Sequence, residues 1–299
     1  MKRSVKLTDL HNAIGTLSDG ERIAVGGFAI YQRPMALIAE LVRQRRRNIT
    51  LVGIVNAIEA DLLIGAGVVS QIETSYVGLE RFGLARNFRR AVEAGNVRAV
   101  DYPELIAWDR FRASQEGLPF WPCSFLGGSG VVTYNPDIVS FTCPISGCMM
   151  WAIPPARPDV VLIHAPLGDE FGNVAFHNRK MLPQSADITL TRSCDRVIVS
   201  VEKIVSQHDL RRQPHLVEIP AFRTTHIVEA PFGAHPTSVP GLYECDETAF
   251  NNYVAATATP EEFADWLDAH IYQLHDHAAY LDQLGTQRLL TLRNTEVPQ

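Results

Sequence analysis

The side chains and backbone groups best suited to bind or react lie at turns. Gly26 and Gly27 stand together after the apolar run at 23–25, with Phe28 next and Arg33 shortly before Pro34. Adjacent glycines permit positive φ and let another group come close to the backbone, so their N–H groups could meet an anion or an oxyanion at the carboxyl end of a strand. Such a turn can also simply reverse the chain. No glycine follows Phe28 at the spacing of G-x-G-x-x-G, so dinucleotide binding is not indicated. Gly127, Gly128 and Ser129 offer a second close backbone approach, or an ordinary turn. The Arg33 fork suits a bidentate carboxylate, and equally suits a surface position at a helix start. Asn56 and Tyr76 fall on loops past strands, where a polar tip orients a substrate or satisfies its neighbours. Glu104 follows Pro103 in the first turn of a helix, where the dipole favours a carboxylate, and it too lies beside the strand-end loops. Glu202 and His235 read as hydrogen-bonded structural residues.

Positioning these groups requires a regular frame, and the hydrophobic pattern supplies one. Helix is expected over 7–17, strand at 23–25, helix at 35–42, strand at 48–55, helix at 57–64 and strand at 72–77. A helix at 81–94 with Gly95 as its C-cap, a strand at 97–102 and a helix from Pro103 to 115 follow. This alternation predicts an α/β fold with an open, mostly parallel, doubly wound sheet and helices on both faces. Residues 118–158 break the pattern with prolines and glycines and are expected to form short strands and an irregular excursion. Its cysteine- and methionine-bearing part at 135–151 serves as a lid or, by preference, a subunit contact. Buried strands resume at 159–165 and 195–202, with hairpin chemistry at 168–173, extended structure at 219–230 and a helical tail at 259–284. No linker or repeat divides the chain, so one domain over 1–299 is expected.

Composition narrows the class. The chain has 299 residues, 46% of them hydrophobic, and a formal net charge of −6, with arginines clustered only at 43–47. That cluster suits a helix C-terminus, and no nucleic-acid or membrane partner is expected. Without an apolar leader or a long apolar run, the cytoplasm is the expected location. Five cysteines without a C-x-x-C pair, and ten histidines without H-E-x-x-H, imply reduced packing thiols and no metal site.

The segment Asp19-Gly20, apolar strand, Gly26-Gly27-Phe28 and Pro34 resembles the α-subunit signature of family I coenzyme A transferases. Gln32 stands where that signature carries a glycine, as in the glutaconate CoA-transferase branch. Glu116-Gly117-Leu118-Pro119-Phe120, Gly128-Ser129-Gly130, the stretch 230–236 and Gly241-Leu242-Tyr243 extend the resemblance to the glutaconate CoA-transferase α subunit along nearly the whole chain. The resemblance implies no permanently bound cofactor, coenzyme A as substrate, and a partner β subunit whose glutamate attacks the thioester. The assembly would be α2β2 or α4β4. The α chain would contribute Gly26, Gly27 and Phe28 as a donor wall for the oxyanion and Arg33 as a clamp for the second carboxylate of a dicarboxylic acid. A related branch that opens a steroid ring hydrolytically carries a glutamate at the place of Glu104, where it acts as a base. A hydrolase therefore stands beside the transferase, and a non-catalytic acyl-CoA-binding subunit is a third reading.

Overall fold

Eight strands form the path of the main sheet. They are β1 (Leu7–Thr8), β2 (Arg22–Val25), β3 (Ile49–Val52), β4 (Val69–Thr74), β5 (Arg98–Asp101), β6 (Val160–Gly168), β7 (Val197–Ile204) and β8 (His226–Glu229). This is a computed structural model, and it describes residues 4–178 and 181–293. The strand order is β1-β8-β7-β6-β2-β3-β4-β5, and every neighbouring pair along it is parallel. Two short antiparallel strands, Val174–Ala175 and Val217–Ile219, extend the sheet from β6.

Strand residues alternate between two cores because successive side chains leave opposite faces of the pleat. Ile23, Val25, Ile49, Leu51, Val160, Leu162 and Ile198 enter one core, which also takes in Leu37, Ile38, Phe250 and Phe263. Ala24, Val52, Val161, Ile163, Val197 and Val199 enter the other, with Ile106, Phe111, Ala186 and Leu190. Helices α1 (Leu10–Gly15), α2 (Met35–Arg43) and α3 (Ile58–Gly65) cover the first face, with α4 (Arg86–Glu93) packed against α3. Helices α5 (Glu104–Gln115) and α6 (Leu182–Arg192) cover the second. The sheet is thus doubly wound, as the alternating pattern predicts.

Several boundaries differ from expectation. Leu7 and Thr8 do not begin a helix: they pair with Ile227 and Val228 at the sheet edge, and the helix starts at Leu10 with Asp9 accepting the Asn12 N–H. The helix expected over 81–94 is a 3-10 turn, Glu80–Phe82, separated from α4 by Gly83 at φ 109°. The tail is helix Pro260–Leu267, a π segment Asp268–Tyr272 and a new helix at His277–Leu284, opened by a capping box between Thr259 and Glu262. The excursion is a three-stranded antiparallel sheet in which Met149–Ile153 lies between Trp121–Cys123 and Val139–Thr142.

Candidate active site

At the end of β2 the chain turns through Gly26 and Gly27, and both glycines are required there. A Cβ at Gly26 would lie 2.2 Å from Asp187 Oδ1 and 2.6 Å from Ile163 Cγ2. Gly27 has φ +79°, and a Cβ on it would meet the carbonyl oxygens of Tyr31 and Gln32 at 2.6 and 2.7 Å. The three N–H groups expected to face a substrate are instead taken within the chain. Gly26 donates to Leu162 O at 2.7 Å, Gly27 to Asp187 Oδ1 at 2.6 Å and Phe28 to Tyr31 O at 3.0 Å. The donor wall read into Gly26, Gly27 and Phe28 is therefore corrected: their hydrogen bonds fold the bend.

The part of the bend that lines a cleft lies beyond them, and its Ala29 and Ile30 are themselves largely buried. Phe28 and Tyr31 exchange both backbone hydrogen bonds at 3.0 Å, leaving Ala29 and Ile30 as a two-residue tip with Ala29 at φ 48°. Among the described residues, the N–H groups of Ala29 and Ile30 have no partner. These four residues, with Glu80, Arg81 and Met181, Leu182 and Pro183 at the start of α6, line a cleft of about 580 Å³. Arg81 supplies a cation there, resting over the Phe82 ring and paired with Glu247 at 2.7 Å on the surface. An exposed pair of this kind is weak, so its guanidinium is available to a competing anion.

Asp187 braces the bend from within the fold. Its carboxylate accepts Gly27 N–H through Oδ1 and Gln32 Nε2 through Oδ2, the latter at 3.0 Å. Burial raises its pKa to about 7, against the opposing pull of the Gly27 N–H, Gln32 and the Arg33 charge. Gln32 adopts φ 57°, the conformation a glycine takes freely, and its amide also donates to His164 O at 3.0 Å. Asp187 escapes a reading of the sequence because its partners lie 155 and 160 residues away.

Relatives of known structure share this frame. The coenzyme A transferase model matches residues 7–230. The chain belongs to the coenzyme A transferase family. It is 30% identical to the A subunit of glutaconate CoA-transferase from Acidaminococcus fermentans over 96% of this chain and 94% of that one. The crystal structure of that transferase superposes with a TM-score of 0.92, covering 97% of this chain and 96% of the other. An uncharacterised Archaeoglobus fulgidus protein is 33% identical over 94% of this chain, which spans 62% of its length. A cholesterol ring-cleaving hydrolase IpdA subunit of Rhodococcus jostii is 26% identical over 89% of this chain and 92% of that one.

In this coenzyme A transferase chain the remaining candidates scatter. Arg33 is 1% exposed and is a strut, with Nε on Ala29 O and Nη1 on Gly26 O at 2.9 Å, Nη2 on Val55 O, and Glu59 at 3.2 Å. Each of its three nitrogens is held inside the chain and it is buried, so it cannot clamp a substrate carboxylate, which corrects that expectation. Asn56 is fully buried between Thr74 and Glu59, so it too is structural and not a rim residue. Tyr76 is 42% exposed, its pKa is raised by partial burial and, less strongly, by the Glu80 charge, and it is not among the residues that line the cleft. Gly127, Gly128 and Ser129 form an exposed turn, with Ser129 N–H on Leu126 O and Gly128 at φ +83°, and do not line the cleft. Glu104 is exposed as the first residue of α5, and its side chain has no partner among the described residues. β5 lies three strand positions from β2, or about 14 Å at the usual interstrand spacing.

Two histidine arrangements resemble catalytic chains but are closed. His164 touches Ser200 Oγ at 2.8 Å and Glu202 Oε1 at 2.7 Å, yet His164 and Ser200 have no exposed surface. Tyr243 and the Phe232 N–H saturate Glu202. His235 is likewise held by Tyr280 at 2.7 Å and Asp246 at 2.9 Å.

Proposed function

We propose that this chain is the α subunit of a heteromeric CoA transferase that moves coenzyme A between an acyl-CoA and a small dicarboxylic acid. The observation that carries the reading is the cleft at the bend, lined by Ala29 and Ile30, whose N–H groups have no partner among the described residues, and by Arg81. In this reading the two N–H groups receive negative charge developing on an acyl oxygen, and Arg81 receives a distal carboxylate. The attacking glutamate comes from the partner β chain. Its carboxylate displaces the CoA thiolate from the acyl carbon, and the thiolate then attacks the glutamyl carbonyl and releases the acid, leaving a glutamyl-CoA thioester. The acceptor acid reverses these steps. Glutaconate, in the name of the A. fermentans relative, is itself a dicarboxylic acid.

The test is acyl-CoA exchange by the chain purified with the product of the neighbouring gene. Transfer to glutaconate or a similar diacid, with a hydroxylamine-sensitive CoA adduct on the partner, is expected. Arg81→Met should raise KM for the diacid about ten-fold while leaving a monocarboxylic acceptor unaffected, a loss of roughly 1.4 kcal/mol. CoA release to water without transfer would sink the proposal.

A hydrolytic reading is favoured by one residue, Glu104, which is exposed and unpaired among the described residues at a strand end. Glu104→Gln separates the two: a hydrolase loses about 100-fold or more in kcat with its base, whereas a transferase keeps its rate within a factor of a few.

A further inference from the structure

The hairpin of the excursion closes through Cys143-Pro144-Ile145-Ser146-Gly147-Cys148. Its strands pair with Thr142 opposite Met149, so the next pair outward sets Cys143 against Cys148. The Cys143 N–H donates to Cys148 O at 2.8 Å, and the Gly147 N–H donates to Cys143 O at 2.9 Å. Opposed residues of an antiparallel pair share a face, with Cβ atoms about 4.5–5.5 Å apart. A disulfide needs roughly 3.5–4.5 Å, a closure that a hairpin tip absorbs.

Both sulfurs also meet the same neighbour. Cys148 Sγ lies 3.8 Å from Ser146 O. Cys143 Sγ receives the Ser146 hydroxyl and the main-chain N–H groups of Ser146 and Ile145, which lower its pKa in that order. The other thiols are in different surroundings: Cys123 is buried, and burial raises Cys194 and pushes Cys245 up to about 12. The tip is open to solvent, with Cys148 exposed and Ile145 95% exposed.

We propose that Cys143 and Cys148 form a reversible dithiol–disulfide site that exchanges with low-molecular-weight disulfides, with Cys143 as the attacking sulfur. The Cys143 thiolate attacks one sulfur of R–S–S–R, forms a mixed disulfide and expels one thiolate. Cys148, having lost its proton to solvent, attacks Cys143 Sγ, closes the intramolecular bond and expels the second thiolate. Two protein thiols are oxidised, and one small disulfide is reduced to two thiols.

The full chain is equilibrated in glutathione and glutathione disulfide, quenched by alkylation and weighed. Two of the five thiols should become unreactive together, on one fragment lighter by two hydrogens, and return with reductant. Cys148→Ser should accumulate one glutathione on residue 143, and in the unsubstituted chain Cys143 should alkylate about ten-fold faster than Cys123. Five reactive thiols at an oxidising ratio would overturn the proposal. So would glutathione on both cysteines without ring closure, or a bond joining two chains.

Discussion

Asp187 holds the bend in place, and its burial makes it a weaker acid than a free carboxyl. Its pKa is raised from 3.8 to about 7, so the folded chain holds the proton that the unfolded chain has released. The stability it contributes is complete below about pH 3.8 and is lost as pH rises to about 7. Asp187→Asn keeps an acceptor for the Gly27 N–H without the charge. Urea midpoints of this variant should fall less steeply across pH 4 to 7 than those of the unsubstituted chain, the difference approaching roughly 1.4 kcal/mol per pH unit. Equal slopes would remove Asp187 as the titrating group. Arg33 is a polar residue close after a glycine turn, which reads as a substrate clamp. Its burial, and that of Gln32, depends on Glu59, His164 and Asp187, which only the fold brings to them.

Among the elements, the strands and the α2 and α3 helices are legible in the sequence because they are buried runs with plain punctuation. α2 places Leu37, Ile38 and Leu41 at zero exposure behind Pro34, as its spacing predicts. Leu37→Ala removes a side chain that the first core cannot refill, so a stability loss of about 2–5 kcal/mol is expected from chemical denaturation. α6 escapes the pattern although Leu182, Ala186 and Leu190 recur every four residues, because threonine, serine and proline between them weaken the helical signal. That omission hides the element that carries Asp187 and one wall of the cleft. Leu7 and Thr8 mislead for a related reason: two residues show no periodicity, and only pairing with β8 makes them a strand.

For the molecule as a whole, a three-residue charge network ties two strands of the sheet to the helix layer on its second face. Glu73 on β4 receives both Arg22 guanidinium nitrogens at 2.9 Å and Arg110 of α5 at 2.6 Å. Burial alone would raise its pKa, but the Arg22 hydrogen bonds and the Arg110 charge lower it from 4.5 to about 2. Its contribution is present above about pH 4.5 and is lost as pH falls to about 2. Glu73→Gln strands a buried Arg110, so a loss of about 3–5 kcal/mol at pH 7 is expected, shrinking in acid. Urea titrations at pH 7 and pH 3 check this, and an equal loss at both would exclude the network. Gly26, whose N–H is spent inside the sheet on Leu162 O, still acts on the cleft. α6 begins at the cleft with Leu182 and reaches the bend at Asp187, about a turn and a half later. One absent methyl group at position 26 therefore fixes how far apart the jaws of the opening stand, and any larger residue there would widen the mouth from behind.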